Sequence, residues 1–184
     1  MNIVPVPAVA GAFEITLRPI DDPRGYFMRT YDRGIFADHG LQTEWPQENQ
    51  SSNRGAGILR GLHFQAPPHA ETKLVRALAG AVQDVFVDIR RGSPTYGGVG
   101  IVELSADRHN AVYIPRGCAH AYLTLTDECV VAYKVDNVYA PEAEGGLIWN
   151  DPDLAIPWAL EGAPVLSEKD GRWPRLKDLD SPFD

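Results

Sequence analysis

Seven short strand-like segments, broken by turn signals about every ten residues, predict an all-β fold, a sandwich or barrel of the jelly-roll kind. Apolar residues recur in these segments mostly with a period of two, the spacing of a strand in a sheet. The segments span residues 12–17, 74–78, 82–89, 100–104, 111–114, 121–125 and 129–135. In the third segment, Val85, Val87 and Ile89 fall on one face of the strand, whereas Phe86 and Asp88 fall on the other.

Residues that favour turns separate these segments. They stand at 79–80, 92–94, 97–98, 105–107 and 115–117. Residues 57–65 are also mostly apolar and strand-like. Helical signals are few, because only residues 31–39 could form two turns, and residues 167–177 are polar with little periodicity. No repeat or linker divides the chain, so we expect one domain over residues 1–184, a jelly roll with a few short helices.

The composition is that of an ordinary globular protein, with 44% apolar and 23% charged residues among 184. A formal charge of -8 argues against binding to nucleic acid or a membrane surface, because both partners require a basic face. Residues 1–13 lack the basic region of a signal peptide and are too short to span a bilayer, so we expect a cytoplasmic protein. Cys118 and Cys129 are then expected to be buried thiols without a disulfide.

Two histidines stand in settings that suit proton transfer. His63 follows Arg60 by three residues within an apolar, strand-like segment, and His120 lies beyond an apolar strand, just after a Pro-x-Gly turn. Because the two histidines come from separate strands, we expect one shared pocket.

Two other interpretations of these histidines stay open. Jelly rolls of the cupin type often hold a metal on a His-x-His, Glu, His set, but the residue two after His63 is Gln65, whose neutral amide is a poor ligand. What would remain is a facial triad of His63, Glu71 and His120, with His69 as an additional candidate ligand. Alternatively, the histidines are interior residues whose hydrogen bonds are merely satisfied.

Blocks along almost the whole chain resemble one family. They include Asp-Pro-Arg-Gly-Tyr-Phe at 22–27 and Leu-Arg-Gly-Leu-His-Phe-Gln at 59–65, with further blocks at 47–51, 73–76, 84–90, 92–95, 103–106, 114–117, 132–134, 139–141, 149–152 and 166–170. In this order and spacing they resemble the dTDP-4-dehydrorhamnose 3,5-epimerases, which are also called dTDP-4-keto-6-deoxyglucose 3,5-epimerases. The resemblance implies a cupin-type jelly roll, a homodimer, no metal or organic cofactor, and a nucleoside-diphosphate 4-keto-6-deoxysugar substrate on the route to activated L-rhamnose or a related deoxysugar.

Inverting a carbon beside a ketone requires a base on one face, an acid on the other and a group that stabilises the enolate oxygen. An imidazole pKa of about 6.5 leaves His63 largely neutral and able to accept the proton. The resemblance makes Asp170 the carboxylate that orients this ring, and Asp84 is the other candidate for that role. It makes Tyr133 the acid, because a phenol with a pKa of about 10 is protonated at neutral pH, and Lys73 is the best candidate for the enolate oxygen. A solvent-facing tyrosine and a solvated lysine are the alternatives.

The resemblance also assigns the groups that bind the substrate. Contacts to the diphosphate and the sugar come from Arg24, Arg60 and Lys169, and guanidinium groups suit phosphate because they form two-pronged hydrogen bonds. Further substrate contacts match Gln47, Asn49, His120 and Glu144, and Tyr139 matches the aromatic residue that stacks on the nucleotide base.

Several positions depart from the family pattern. Arg29 stands where the family usually has a glutamate near the nucleotide base, so a CDP- or GDP-linked sugar is an alternative substrate, because arginine donates hydrogen bonds where a carboxylate accepts them. Smaller changes are Glu71 for a glutamine, Asn53 where many members carry a basic residue, and Ala121 and Tyr122 for Gly-Phe.

Related proteins leave three functions to separate: inversion of C3 and C5, inversion of C3 alone, and transfer of the keto group between C4 and C3. Tyr133 favours epimerisation, because inversion requires an acid on the far face of the sugar, but it does not show how many carbons are inverted. A non-catalytic sugar-binding cupin is the alternative from another class, and it would not need His63 paired with an acid.

Overall fold

A computed structural model describes residues 1–184, and its strands form two larger sheets and a separate hairpin. The thirteen strands are Asn2–Pro5 (β1), Phe13–Thr16 (β2), Pro19–Asp22 (β3), Gly25–Met28 (β4), Gln47–Arg54 (β5), Leu59–Gln65 (β6), Lys73–Ala79 (β7), Ala81–Asp88 (β8), Val99–Ser105 (β9), Asn110–Ile114 (β10), Cys118–Thr124 (β11), Glu128–Val135 (β12) and Glu144–Gly146 (β13). One α-helix, Arg33–Asp38 (α1), and single 3₁₀ turns at Pro141–Ala143 and Leu176–Asp178 complete the regular structure. None of these helices has the length and apolar character that crossing a membrane requires.

The two larger sheets are the halves of a cupin-type jelly roll. One has six strands in the order β1-β2-β10-β7-β12-β5, and the other has five in the order β13-β6-β11-β8-β9. Neighbouring strands pair antiparallel throughout. The all-β jelly-roll prediction is therefore confirmed.

Three apolar clusters hold these layers together. The largest lies between the two sheets and includes Val75, Phe86 and Val131. A second covers the outer face of the five-stranded sheet, where residues of the C-terminal segment pack on Val85, Val87 and their neighbours. The third joins α1 to the outer face of the six-stranded sheet. Because both faces of each sheet are covered, most of the central strands are buried on both sides.

The predicted strands are all present, with ends that shift by up to three residues. Val85 and Val87 lie in one cluster and Phe86 in another, as the alternation predicted, although both faces are buried. The predicted helix forms as α1, whose first turn is capped by the Asp32 carboxylate accepting a hydrogen bond from the backbone N–H of Ile35. Strands β1, β3, β4, β5 and β13 were not predicted.

Both cysteines are free and buried, as predicted. Burial raises the pKa of the Cys118 thiol to about 12. A thiol that stays protonated is a poor nucleophile, so Cys118 behaves as a small apolar side chain.

Candidate active site

Two adjoining cavities, of about 640 and 520 Å³, share three lining residues, His63, Lys73 and Tyr133. The first cavity is also lined by Arg60, His120, Lys169 and Asp170, and the second by Gln47, Asn49, Tyr139 and Glu144. The structure thus gathers every site residue expected from the sequence except Arg24 and Arg29.

His63 is paired with Asp170. The His63 Nε2 and the Asp170 Oδ1 are 2.5 Å apart, and the side chain of Asp170 is only 4% exposed. Burial alone would raise the pKa of Asp170, but the hydrogen bond and charge of His63 outweigh it and hold that pKa below its ordinary value. An ionised Asp170 accepts the proton on Nε2, so the lone pair of the neutral ring is on Nδ1.

A β-bulge brings Arg60 and His63 to the same cavity. On β11, Tyr122 and His120 are two residues apart and pair with Arg60 and His63, which are three apart on β6. Residues three apart on a regular strand would point to opposite faces, and the one extra residue in β6 corrects this. Gly61 lies in the bulge at a φ of +122°, where a Cβ would be 2.5 Å from the carbonyl oxygen of His120. Only glycine fits there.

Asp84, the other candidate partner for His63, is paired with His120 instead. The His120 Nε2 and the Asp84 Oδ2 are 2.8 Å apart. Asp84 is fully buried, and that burial raises its pKa against the opposing effects of His120 and Lys73. Since His120 and His63 are directly opposite each other on β11 and β6, the site contains two neighbouring His-Asp pairs.

Tyr133 and Lys73 come from the six-stranded sheet, across the cavity from His63. Burial is the main cause that raises the pKa of Tyr133 above 10.0, so the phenol stays protonated at neutral pH. The Lys73 Nζ lies 3.1 Å from the Glu71 Oε1, and both side chains are nearly buried. Lys73 is therefore not a solvated surface lysine, and Glu71 supplies its counter-ion.

The second cavity has a polar wall built by several hydrogen bonds. The Gln47 Nε2 donates to the Asn49 Oδ1 at 3.1 Å, and the Gln47 Oε1 accepts from the backbone N–H of Tyr139 at 3.2 Å. The Lys169 Nζ donates to the Glu144 Oε1 at 2.7 Å, and this bond raises the pKa of Lys169. The Tyr139 ring is exposed at the mouth, where a planar base could stack on it.

The facial triad of His63, Glu71 and His120 is not assembled. No group of three His, Cys, Asp or Glu side chains lies close enough to hold a metal ion. The three candidate ligands are bonded to different partners, His63 to Asp170, His120 to Asp84 and Glu71 to Lys73.

Arg24 and Arg29 lie outside both cavities of their own chain. Arg24 is at the turn of the β3–β4 hairpin, where its side chain is 89% exposed and its Nη2 lies 2.6 Å from the Asp22 Oδ2. Arg29 follows β4, with its Nη1 2.9 Å from the Asp32 Oδ2. The same hairpin exposes the apolar side chains of Ile20, Tyr26 and Phe27 to solvent.

The sequence did not single out two aromatic residues of the site. Trp173 packs edge-on against His63, with ring centroids 6.3 Å apart, and lies over Gly146, where a Cβ would be 2.6 Å from the indole ring. The C-terminal segment has little periodicity, so the position of Trp173 could not be predicted from it. Tyr122 lines the first cavity, and its only signal in the sequence was its departure from the family's phenylalanine.

A jelly roll whose cavity holds a His-Asp pair opposite a protonated tyrosine, among several cations, defines a carbohydrate isomerase of the epimerase kind. The family described as dTDP-4-dehydrorhamnose 3,5-epimerase matches residues 7–178, and the chain belongs to that family.

Comparisons with individual proteins agree. The dTDP-4-dehydrorhamnose 3,5-epimerase of Methanothermobacter thermautotrophicus is 43% identical over 170 residues, which cover 91% of each chain. The 3,5-epimerase of Legionella pneumophila, solved in complex with dTDP-4-keto-L-rhamnose, superposes with a TM-score of 0.92 at 36% identity and covers 97% of this chain and 94% of its own. A 3'-monoepimerase from Streptomyces bikiniensis, solved with dTDP-quinovose, superposes at 0.85 with 34% identity and coverages of 91% and 84%.

Proposed function

We propose that the chain inverts C3 and C5 of dTDP-4-dehydro-6-deoxyglucose, with His63 as the base and Tyr133 as the acid. The observation that carries this proposal is that the two groups face a common cavity from opposite sheets. A sugar ring bound between them presents one face to β6 and the other to β12. Inversion needs this arrangement, because the proton that leaves one face must be replaced on the other.

Each inversion then proceeds in two proton transfers. The Nδ1 of His63 takes the proton from the carbon beside the C4 ketone, and the electron pair moves into a C=C bond as the C4 oxygen becomes an enolate. Tyr133 then protonates the opposite face of that carbon, and the ketone reforms. Solvent returns a proton to the phenolate and removes one from the imidazolium, so the enzyme is restored.

The direct test is to incubate the enzyme with dTDP-4-keto-6-deoxyglucose in D₂O and follow the sugar by NMR. We expect deuterium at both C3 and C5. Deuterium at C3 alone would replace the proposal with a 3-epimerase, the activity named for the relative from Streptomyces bikiniensis. Deuterium at C4 of a 3-keto product would replace it with a 3,4-ketoisomerase.

The nucleotide is proposed to be dTDP. Relatives have been solved with dTDP-linked sugars, and Arg29 is held by Asp32 outside its own chain's cavities. Competitive binding of dTDP, CDP and GDP tests this proposal. We expect dTDP to bind with the highest affinity, and a preference for CDP or GDP would return the alternative that Arg29 raised.

Lys73 is proposed to stabilise the enolate oxygen. We expect Lys73→Met to lower kcat about 10²- to 10³-fold, the usual cost of losing one oxyanion donor. This change also leaves the nearly buried Glu71 without its counter-ion. The double variant Glu71→Gln/Lys73→Met removes that second effect, and the loss of kcat should persist in it. Lys134→Met is the matched control, since Lys134 forms an ion pair with Glu48 on the surface. Steady-state kinetics that show equal losses for both lysines would contradict the role.

We further propose a homodimer in which the β3–β4 hairpin of one chain reaches the cavity of its partner. The proposal is supported by the exposed apolar residues of the hairpin and by the resemblance, which gives Arg24 a substrate contact that its own chain's cavities do not provide. An arginine supplied across the dimer would add positive charge at the substrate's diphosphate.

Mixing two impaired variants, Arg24→Ala and His63→Asn, tests this arrangement. In a mixed dimer, the site with an intact His63 receives the intact Arg24 of the other chain, so activity at low substrate concentration should rise above that of either variant. If Arg24 acted within its own chain, no mixed site would be complete. Failure of mixing to restore activity, in dimers verified to have exchanged subunits, would contradict the proposal.

A further inference from the structure

A hydrogen-bonded network in the first cavity connects Tyr122 to Arg60. The Tyr122 hydroxyl lies 2.7 Å from the Ser51 Oγ and 3.4 Å from the Asn53 Nδ2. The Asn53 Nδ2 also donates to the backbone carbonyl of Cys129 at 3.3 Å, and the Asn53 Oδ1 accepts from the Arg60 Nε at 2.9 Å.

The network crosses the cavity between the two sheets. Ser51 and Asn53 belong to β5 at the edge of the six-stranded sheet, whereas Arg60 and Tyr122 are paired neighbours on β6 and β11 of the other sheet. Tyr122 and Asn53 are 5% and 3% exposed. Buried polar groups need partners, so these two side chains have little freedom to rotate. Arg60 itself is exposed and is held at its Nε by a fixed acceptor.

Two members of the network, Asn53 and Tyr122, contact each other. A basic residue at position 53 would repel Arg60, whereas the Asn53 Oδ1 accepts a hydrogen bond from the Arg60 Nε–H. A phenylalanine at position 122 would remove the hydroxyl that bonds to Ser51 and Asn53, and the Asn53 Nδ2 would keep only the Cys129 carbonyl. The two residues are therefore chemically matched, since both favour one orientation of the Arg60 guanidinium.

We propose that Asn53 and Tyr122 are positioning residues, which orient the Arg60 guanidinium so that its terminal nitrogens bind the diphosphate of the substrate. Neither residue takes part in the proton transfers. The inference rests on the proposed function, because it takes a nucleoside diphosphate as the ligand. Its benefit is preorganisation: a guanidinium already held in place loses less rotational freedom when the phosphate binds.

The test is a double-variant cycle measured with dTDP binding and with steady-state kinetics. We expect Asn53→Ala to raise the Kd for dTDP and the KM about tenfold, and Tyr122→Phe about threefold, while kcat changes less than about twofold. In an Arg60→Ala background, neither change should weaken binding further, because the group being positioned is gone. Ser52→Ala, on the exposed face of the same strand, is the matched control and should change nothing.

Four outcomes would overturn the inference. Equal losses of affinity with and without Arg60 would show that the residues only support packing, and thermal unfolding would then show the same loss of stability in both backgrounds. A fall in kcat with an unchanged KM would place the residues in the chemistry instead. If the unmodified enzyme bound no dTDP, the proposed function would fail as well, whereas normal dTDP binding with an unaffected Asn53→Ala variant would overturn the positioning role alone.

Discussion

Replacing His63 with asparagine is expected to lower kcat/KM about 10²- to 10⁴-fold while leaving the Kd for dTDP within a few-fold of its original value. Asparagine is close in size and can still bond to Asp170, but it has no basic lone pair that could take a proton from carbon. Deuterium entry at C3 and C5 should fall by the same factor as epimerisation, because both follow from the same proton abstraction.

The matched control for this change is His39→Asn. His39 is exposed at the end of α1, where its Nδ1 lies 2.8 Å from the backbone carbonyl of Ile35, so its loss should leave the kinetics unchanged. A sugar-binding protein without catalysis would give a different result, since the unmodified protein would then show no turnover for the change to remove. Turnover that survives the loss of His63 would contradict its role as the base.

Companion measurements on Asp170→Asn address the pairing itself. An amide in place of the carboxylate can orient the ring but cannot stabilise the imidazolium that forms during proton abstraction.

The sequence could not choose between Asp170 and Asp84 for this role, because Asp170 lies 107 positions from His63 in a segment without periodicity. The partner is fixed by the path of the C-terminal segment over the five-stranded sheet, and tertiary packing of this kind leaves no local signal.

The central strands were predictable because their apolar residues alternate or run continuously, and burial follows that pattern closely. Strand β5 was missed for the opposite reason. Its sequence, Gln-Glu-Asn-Gln-Ser-Ser-Asn-Arg, has no apolar residue, yet its burial alternates regularly along most of the strand. The inward face carries the polar side chains that line the cavities, Gln47, Asn49 and Ser51 among them. A strand that forms a binding site thus lacks the hydrophobic signal by which strands are recognised.

The bulge in β6 limits prediction in a similar way. Arg60 and His63 could be identified as chemically suited residues, but a regular strand would have placed them on opposite faces. One extra residue beside Gly61 reverses that expectation, and the register of the neighbouring strand is needed to see it. Residue types were therefore readable from the sequence, whereas their convergence on one cavity depends on an irregularity of the sheet.

Replacing Tyr133 with phenylalanine is expected to separate proton exchange from inversion. His63 can still remove the proton and can return a deuteron from solvent to the same face, so deuterium should enter the sugar with its configuration retained. Inversion should fall about 10²- to 10⁴-fold, because no acid remains on the far face. NMR in D₂O measures both rates in one sample, with dTDP-4-keto-6-deoxyglucose as the substrate.

This separation is the sharpest test of the two-sided mechanism, because the His63 variant should lose exchange and inversion together, whereas the Tyr133 variant should lose only inversion. Tyr96→Phe removes a hydroxyl from an exposed tyrosine and should leave both rates unchanged. If exchange and inversion fell equally in the Tyr133 variant, the hydroxyl would be needed for proton abstraction itself. If inversion persisted, water or another group would be the acid, and the position of Tyr133 opposite His63 would have a purely binding role.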